Sequence, residues 1–300
     1  MRAGQIFVGP SGWSYRSWSE TVARGVRLED RLALMARLFN AVEVNGSHYR
    51  QIATATYEKW AAQTPPTFRF AVKGHRYVTH FRRLSNCDDP IRRLRDQASG
   101  LGDKLSCVVW QLPASFSKNL ARLDDFLRAL RAWDDTRHAL EVRHPSWFDD
   151  EVHRRLADAR VASCLSDAPD FPLWRAVTTD LVYVRLHGHT RKYASSYSSA
   201  SLARWADEAR AWAAEGRDVH LYLDNDAEGA ALANAGTLMR VLALRAAAPV
   251  PTSSARPPRG PLRAEETRRS RRADRGAPVA RRPRRAPLGT RRRALAVRRR

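Results

Sequence analysis

The strongest constraint on this 300-residue chain is an alternation that runs through residues 5–247. Short apolar or alternating runs are separated by stretches with helical spacing. The runs fall at residues 5–9, 41–45, 68–73, 106–112, 138–143, 161–166, 181–187 and 219–224. Between them, Leu28, Leu32, Met35 and Phe39 recur at helical spacing. So do Leu120, Leu123, Leu127 and Leu130, and Leu202, Trp205, Ala209 and Trp212. Asp149, Asp150 and Glu151 cluster where a helix through Leu156 would begin, as capping and the helix dipole favour. Repeated βα units give this pattern, and they imply a parallel sheet. Residues 168–179 are the weak unit, because Pro169 and Pro172 leave space only for a loop or a short helix.

Eight strands in a folded region of this length fit either a (β/α)8 TIM-like barrel or an eight-stranded doubly wound sheet. The polarity of one face favours the barrel. Glu43 and Asn45, Glu141 and Arg143, Arg185 and His187, and Tyr222 and Asp224 are pairs two residues apart near strand ends. Their neighbours Val42, Val44, Leu140, Val142, Val184, Leu186, Leu221 and Leu223 are apolar. Period-two geometry sends each polar pair to one face and the aliphatic residues to the other. In a barrel, the aliphatic face meets the helices and the polar face points inward at the carboxyl-end mouth. An open sheet would have to bury those charges under its helices.

Charge divides the chain. Residues 251–300 hold 18 Arg, no Lys and 3 acidic residues, a net of +15, whereas residues 1–250 carry a net of +7. From residue 249 the chain is Arg, Pro, Ala, Gly and Ser with few large apolar residues, so a folded domain at 1–248 and a disordered basic tail at 249–300 are expected. The tail's arginine clusters suit non-specific, salt-sensitive binding to nucleic acid, although Arg usage of 48 against Lys 5 over the whole chain equally fits a compositional bias. No apolar run is long enough for a membrane span. Cys87, Cys107 and Cys164 form an odd, widely spaced set without a C-x-x-C pair, and the N-terminus enters a strand-like run with no leader pattern, so a reducing cytoplasm is expected.

Several motifs stand in a recognisable order. They are Gly9-Pro10-Ser11-Gly12-Trp13 with Tyr15 and Trp18, Phe39-Asn40-Ala41-Val42-Glu43-Val44-Asn45 with Tyr49-Arg50, and Phe70-Ala71-Val72-Lys73 with Thr79-His80. Gln111-Leu112-Pro113, Glu141-Val142-Arg143-His144-Pro145-Ser146-Trp147 and Tyr183-Val184-Arg185-Leu186-His187-Gly188 follow, then Tyr193 with Tyr197, Asn225-Asp226 and Asn234-Ala235. Together they resemble the YecE-like family over residues 6–244. The resemblance implies a bacterial TIM-like barrel and assigns no activity. Gly46-Ser47-His48 and Leu223-Asp224 depart from the family's usual residues at the presumed mouth, which bears on ligand preference.

The mouth residues define the candidate chemistry. Glu141, His187, Asp224 and Glu43 are the candidate catalytic groups. Trp13, Asn45, Tyr49, Lys73, Arg76, Arg143, His144, Trp147, Arg185, Tyr193, Tyr197, Asn225 and Asp226 are the candidate substrate-binding groups. Imidazole and carboxylate ligands at Glu141, His144, Asp167, His187, Asp224 and Asp226 would suit a divalent metal, though no compact metal motif occurs. Glu43 and Glu141 would suit a metal-independent glycosidase-like pair, with Trp13, Trp147 and Trp174 stacking on sugars. Lys73, Arg76, Arg143 and Arg185 would clamp a small anionic or phosphorylated ligand. Gly9 and Gly12 read as permitting a tight rim turn. The leading expectation is a hydrolase for an anionic substrate, a nucleotide or nucleic acid among them. The rival is a non-catalytic ligand- or nucleic-acid-binding module anchored by its tail.

Overall fold

A computed structural model describes residues 2–20 and 22–247. The disordered tail expected from residue 249 lies outside the described residues. Eight strands occupy β1 (Ile6–Pro10), β2 (Ala41–Val44), β3 (Arg69–Lys73), β4 (Leu105–Gln111), β5 (Arg137–Glu141), β6 (Val161–Asp167), β7 (Leu181–Leu186) and β8 (Asp218–Leu223). Every ladder is parallel, each strand pairs with its neighbour in sequence from β2 to β8, and β8 returns to β1. Each expected strand is present to within a residue or two at its ends.

The seam between β1 and β2 closes the barrel by a different route. The backbone ladder there is reduced to one bridge, Ser11 to Glu43, with Gly12 N–H donating to the Glu43 carbonyl at 2.8 Å. Below it, the Asn40 side chain substitutes for a strand. Its Oδ1 accepts from Val8 N–H at 2.8 Å, and its Nδ2 donates to the Ile6 carbonyl at 2.9 Å. Gly9 makes this approach feasible, since a Cβ there would lie 1.9 Å from the Ala41 carbonyl oxygen. Gly9 therefore serves strand proximity and not a turn. Gly12, at φ +94°, is the residue that turns the chain at the rim.

Helices follow seven of the eight strands: α1 (Arg31–Leu38), α2 (Thr54–Ala62), α3 (Asp88–Ala98), α4 (Leu120–Leu130), α5 (Asp150–Asp158), α6 (Ser199–Ala214) and α7 (Ala230–Val241). No helix forms between β6 and β7, where the proline-bearing stretch runs as a loop pinned by an Ala168–Phe171 bridge. The Asp149 carboxylate caps α5 as expected, accepting from Glu151 N–H at 2.8 Å and Val152 N–H at 3.4 Å. No helix of the described residues is long and apolar enough to cross a membrane.

The aliphatic strand residues Val42, Val44, Leu140 and Val142 pack outward under one arc of helices, and Val184, Leu186, Leu221 and Leu223 under the other. Inside the barrel, Phe7, Ala41, Ala71, Cys107, Val109, Ala139, Cys164, Tyr183 and Tyr222 form a packed plug. The interior is filled up to the level of the mouth, so polar groups above the plug rest on an apolar floor.

Candidate active site at the barrel mouth

Period two carries a polar residue to the inner face at the carboxyl end of strand after strand. Ser11 follows β1, Glu43 lies in β2, Lys73 ends β3, Gln111 ends β4, Glu141 ends β5, Ser166 lies in β6, Arg185 lies in β7 and Asp224 follows β8. All are buried except Asp224, which keeps a small exposed area. Burying so many charges is costly unless they satisfy one another, and Arg185 is the group that does so.

The fully buried Arg185 guanidinium faces three carboxylates. Nε and Nη2 donate to Glu43 at 3.0 and 2.8 Å, Nη1 to Glu141 at 2.8 Å and Nη2 to Asp224 at 2.8 Å. Glu43 is held further by the Tyr183 hydroxyl at 2.6 Å and by Ser11. Glu141 also accepts from Arg143 Nε at 2.7 Å and Ser166 Oγ at 2.9 Å. Burial alone would raise both acids, but Arg143 and Arg185 hold the Glu141 carboxyl well below the usual range, and Arg185 with His187 does the same for Asp224. The arginine in turn is held firmly protonated against its burial by Glu43, Glu141 and Asp224.

His187, also fully buried, lies between two of these carboxylates. Its Nε2 is 3.3 Å from Glu141 Oε1 and its Nδ1 is 3.2 Å from Asp224 Oδ2. The Nδ1 contact is within reach but misaligned, leaving that nitrogen without a formed hydrogen bond. Tyr193, at φ 63°, packs its ring edge-on to His187 and accepts from Arg143 Nη1 at 3.0 Å. Gly188, at φ +118°, turns the chain so that His189 faces Tyr197 while His187 stays in the mouth, separating the two rings as the Gly between them suggested.

The expected residues thus divide. Glu43, Glu141, Asp224, His187, Arg143, Arg185, Lys73 and Tyr193 are brought together. Asn45 and Trp13 line a neighbouring cavity of about 350 Å³ with Trp60. Tyr49 and Arg76 stand on the rim, where Arg76 stacks over Tyr49 at 5.7 Å and Phe81 at 5.5 Å.

Others have structural work. Trp147, expected to face ligand, is fully buried in the outer core, where its indole N–H donates to the Phe116 carbonyl at 2.6 Å. His144 caps the short turn after β5 by accepting from Ser146 N–H at 3.2 Å. Tyr197 is buried and accepts from Gly188 N–H at 3.1 Å, and Asn225 ties Ser195 to Asn234. Asp226 accepts from Trp18 Nε1 at 2.7 Å, and burial pushes its carboxyl up to about 6.

The divalent-metal expectation does not fit this set. The carboxylates that would ligate an ion have their oxygens directed at the Arg185 and Arg143 guanidinium groups. Among the described residues no group of three His, Cys, Asp or Glu is arranged to hold a metal. In a glycosidase-like pair Glu141, held down by Arg143 and Arg185, does not fit the general acid. Ser11, Ser166 and Tyr183, which complete the network, were not anticipated. They share the inner face with the residues that were, and the same period-two count would have found them. All three cysteines are buried, and burial pushes Cys87 and Cys107 up to about 12, so none is a ready nucleophile.

Eight parallel strands, seven covering helices and a charged, inward-facing layer at the carboxyl ends define a (β/α)8 barrel. Residues 7–260 match the family described as "Protein of unknown function DUF72", and the chain belongs to that family. It is similar to UPF0759 protein YecE of Escherichia coli K12, 32% identical over 144 residues that span 48% of this chain and only 50% of that protein. UPF0759 protein YunF of Bacillus subtilis is 22% identical over 268 residues, covering 79% of this chain and 94% of YunF. Crystal structures of DUF72 family proteins from Thermotoga maritima (TM-score 0.72, 24% identity, 80% of this chain and 99% of that one) and Enterococcus faecalis (0.70, 19%, 80% and 96%) share the fold.

Proposed function

We propose that this barrel is a metal-independent acid–base enzyme acting on a small anionic substrate at its carboxyl-end mouth. The observation that carries the reading is His187, a buried imidazole within 3.3 Å of Glu141 and 3.2 Å of Asp224 at its two nitrogens. Asp224 beside Nδ1 and Glu141 beside Nε2 fix the ring, with the Arg143 and Arg185 guanidinium groups 3.5 and 3.4 Å from Nε2. Arg143 faces the same space with its fork directed at Glu141 and Tyr193, and it offers a permanent positive charge to an incoming anion. Hydrolysis needs only water as co-reactant, with His187 drawing a proton from the attacking water and returning it to the leaving group. A phosphate ester or other anionic ester is the substrate class that Arg143 would favour.

The test is a turnover screen on phosphomonoesters, phosphodiesters and carboxylate esters with the full chain and its His187→Asn variant. Loss of turnover of about a thousandfold at an unchanged melting temperature is expected from removing a general base. Equal turnover in the two proteins would end the assignment.

A second reading, binding of single-stranded nucleic acid, is favoured by the rim. Tyr49 and Phe81 are 58% and 66% exposed, both stack with Arg76, and Arg82 lies over the half-exposed Tyr77 at 5.3 Å. Exposed aromatic rings interleaved with guanidinium groups suit base stacking beside phosphate contacts. Salt-sensitive oligonucleotide binding that falls when Tyr49 and Phe81 are replaced by Ala would support it, and binding indifferent to both changes would remove it.

A further inference from the structure

Lys73 differs from the charged groups that form the network around Arg185. It ends β3 on the inner face, is only 4% exposed, and follows buried Phe70, Ala71 and Val72. Glu43, Glu141, Asp224, Arg143 and Arg185 are each bound to an oppositely charged partner. Among the described residues, the Lys73 amine makes no hydrogen bond and no ion pair within 4.0 Å. Both oxygens of Glu43 and both of Glu141 are taken by Arg185, Arg143, Tyr183, Ser11 and Ser166, and Asp224 gives its Oδ2 to Arg185. Burial and the adjacent Arg185 charge both raise the share of neutral amine, the form whose lone pair is free to react. Accordingly, burial and Arg185 pull Lys73 down to about 8, against the opposing pull of Asp224, Glu43 and Glu141.

An anion clamp would need no such residue. This chain uses Arg for 48 of its 53 Lys and Arg positions, and Arg keeps its charge when buried. What Lys adds is a nitrogen that can lose its proton and form a bond.

We infer that Lys73 is a covalent amine which forms an imine with an aldehyde or ketone group on the anionic ligand of the mouth. The Nζ lone pair adds to the carbonyl carbon, and the carbonyl oxygen gains a proton as the nitrogen loses one, giving a carbinolamine. Its hydroxyl takes a proton and leaves as water, the nitrogen gives up its second proton, and a C=N bond to Lys73 remains. Amine and carbonyl have become imine and water, with no oxidant or reductant. The reverse step needs a water activated for attack on the imine carbon, the role assigned above to His187. The inference therefore rests on the mouth being an anion-binding catalytic site, and it narrows the substrate class to anions that carry a carbonyl group.

Glyoxylate, a small anionic aldehyde, is the probe. The folded full chain is treated with glyoxylate and cyanoborohydride at pH 7.5, and the five lysines are followed by peptide mass spectrometry. Lys73 is expected to be modified at least about tenfold faster than the exposed Lys59, and the preference should vanish in urea. Modification of Lys73 no faster than Lys59 in the folded protein would overturn the inference. Heating in the presence of phosphate separates the two proposals. Protection by phosphate without preferential Lys73 labelling leaves the anion site and removes the imine, whereas preferential labelling without protection keeps the amine chemistry and removes the anion site.

Discussion

Arg185 and Glu43 sit on β7 and β2, 142 positions apart in the chain, and meet through two hydrogen bonds of 3.0 and 2.8 Å at the centre of the barrel. This fork spans the interior and gathers Glu141 and Asp224 onto the same guanidinium. Its presence links carboxylates that would otherwise repel one another into a hydrogen-bonded platform.

Replacing Arg185 with Ala leaves three buried carboxylates without their shared partner. The expected cost is about 3 to 5 kcal/mol at pH 7. In the native chain Glu141 and Asp224 are held low, so the stability they contribute is present above their unfolded values near pH 4 and is lost as pH falls below them. Without the guanidinium, burial raises these acids, so the variant should gain on the native protein as pH falls from 7 to 5. Denaturant unfolding at several pH values measures both slopes, and a constant difference would contradict this account.

Lys73→Met should stabilise the fold at neutral pH. Because the native amine is depressed to about 8, its charged form costs stability below that value, and the cost fades as pH rises toward the unfolded value near 10.4. A gain of about 2 kcal/mol at pH 7 that shrinks by pH 10 is expected from thermal or denaturant unfolding.

Asp226→Asn tests the raised carboxyl beside Trp18. The amide oxygen can still accept from the indole N–H, while the charge is removed. Native Asp226 titrates near 6, so its ionisation costs nothing below pH 4 and reaches its full cost above pH 6. With allowance for water at the rim, a gain of about 1 kcal/mol at pH 8 and none at pH 4 is expected, which is about 2 to 4 °C in melting temperature.

Gly9→Ala places a methyl group 1.9 Å from the Ala41 carbonyl oxygen, between two backbones that cannot easily part. Loss of more than about 3 kcal/mol is expected, with hydrogen exchange rising first at Val8 N–H, which donates to Asn40 across the seam. A melting temperature within a degree or two of the native value would mean that the seam is looser than its geometry.

The eight strands, the missing sixth helix and the inward polar face were legible in the chain, because period two and helical spacing are local and proline acts on its own segment. Glu43, Glu141, Arg143, Arg185, His187 and Asp224 were legible as a group for the same reason: each lies at a strand's carboxyl end on the inner face. Their roles were not. Whether Trp147 faces a ligand or the core depends on what Phe116 does 31 residues earlier, and whether Gly9 serves a turn or a seam depends on Ala41. Above all, a row of acids and bases reads equally well as a metal site, an acid pair or an anion clamp until their distances are known. Only the closed barrel decides that the carboxylates converge on Arg185 and leave the Lys73 amine without a partner, because electrostatic pairing depends on separations of a few ångströms between residues more than a hundred positions apart.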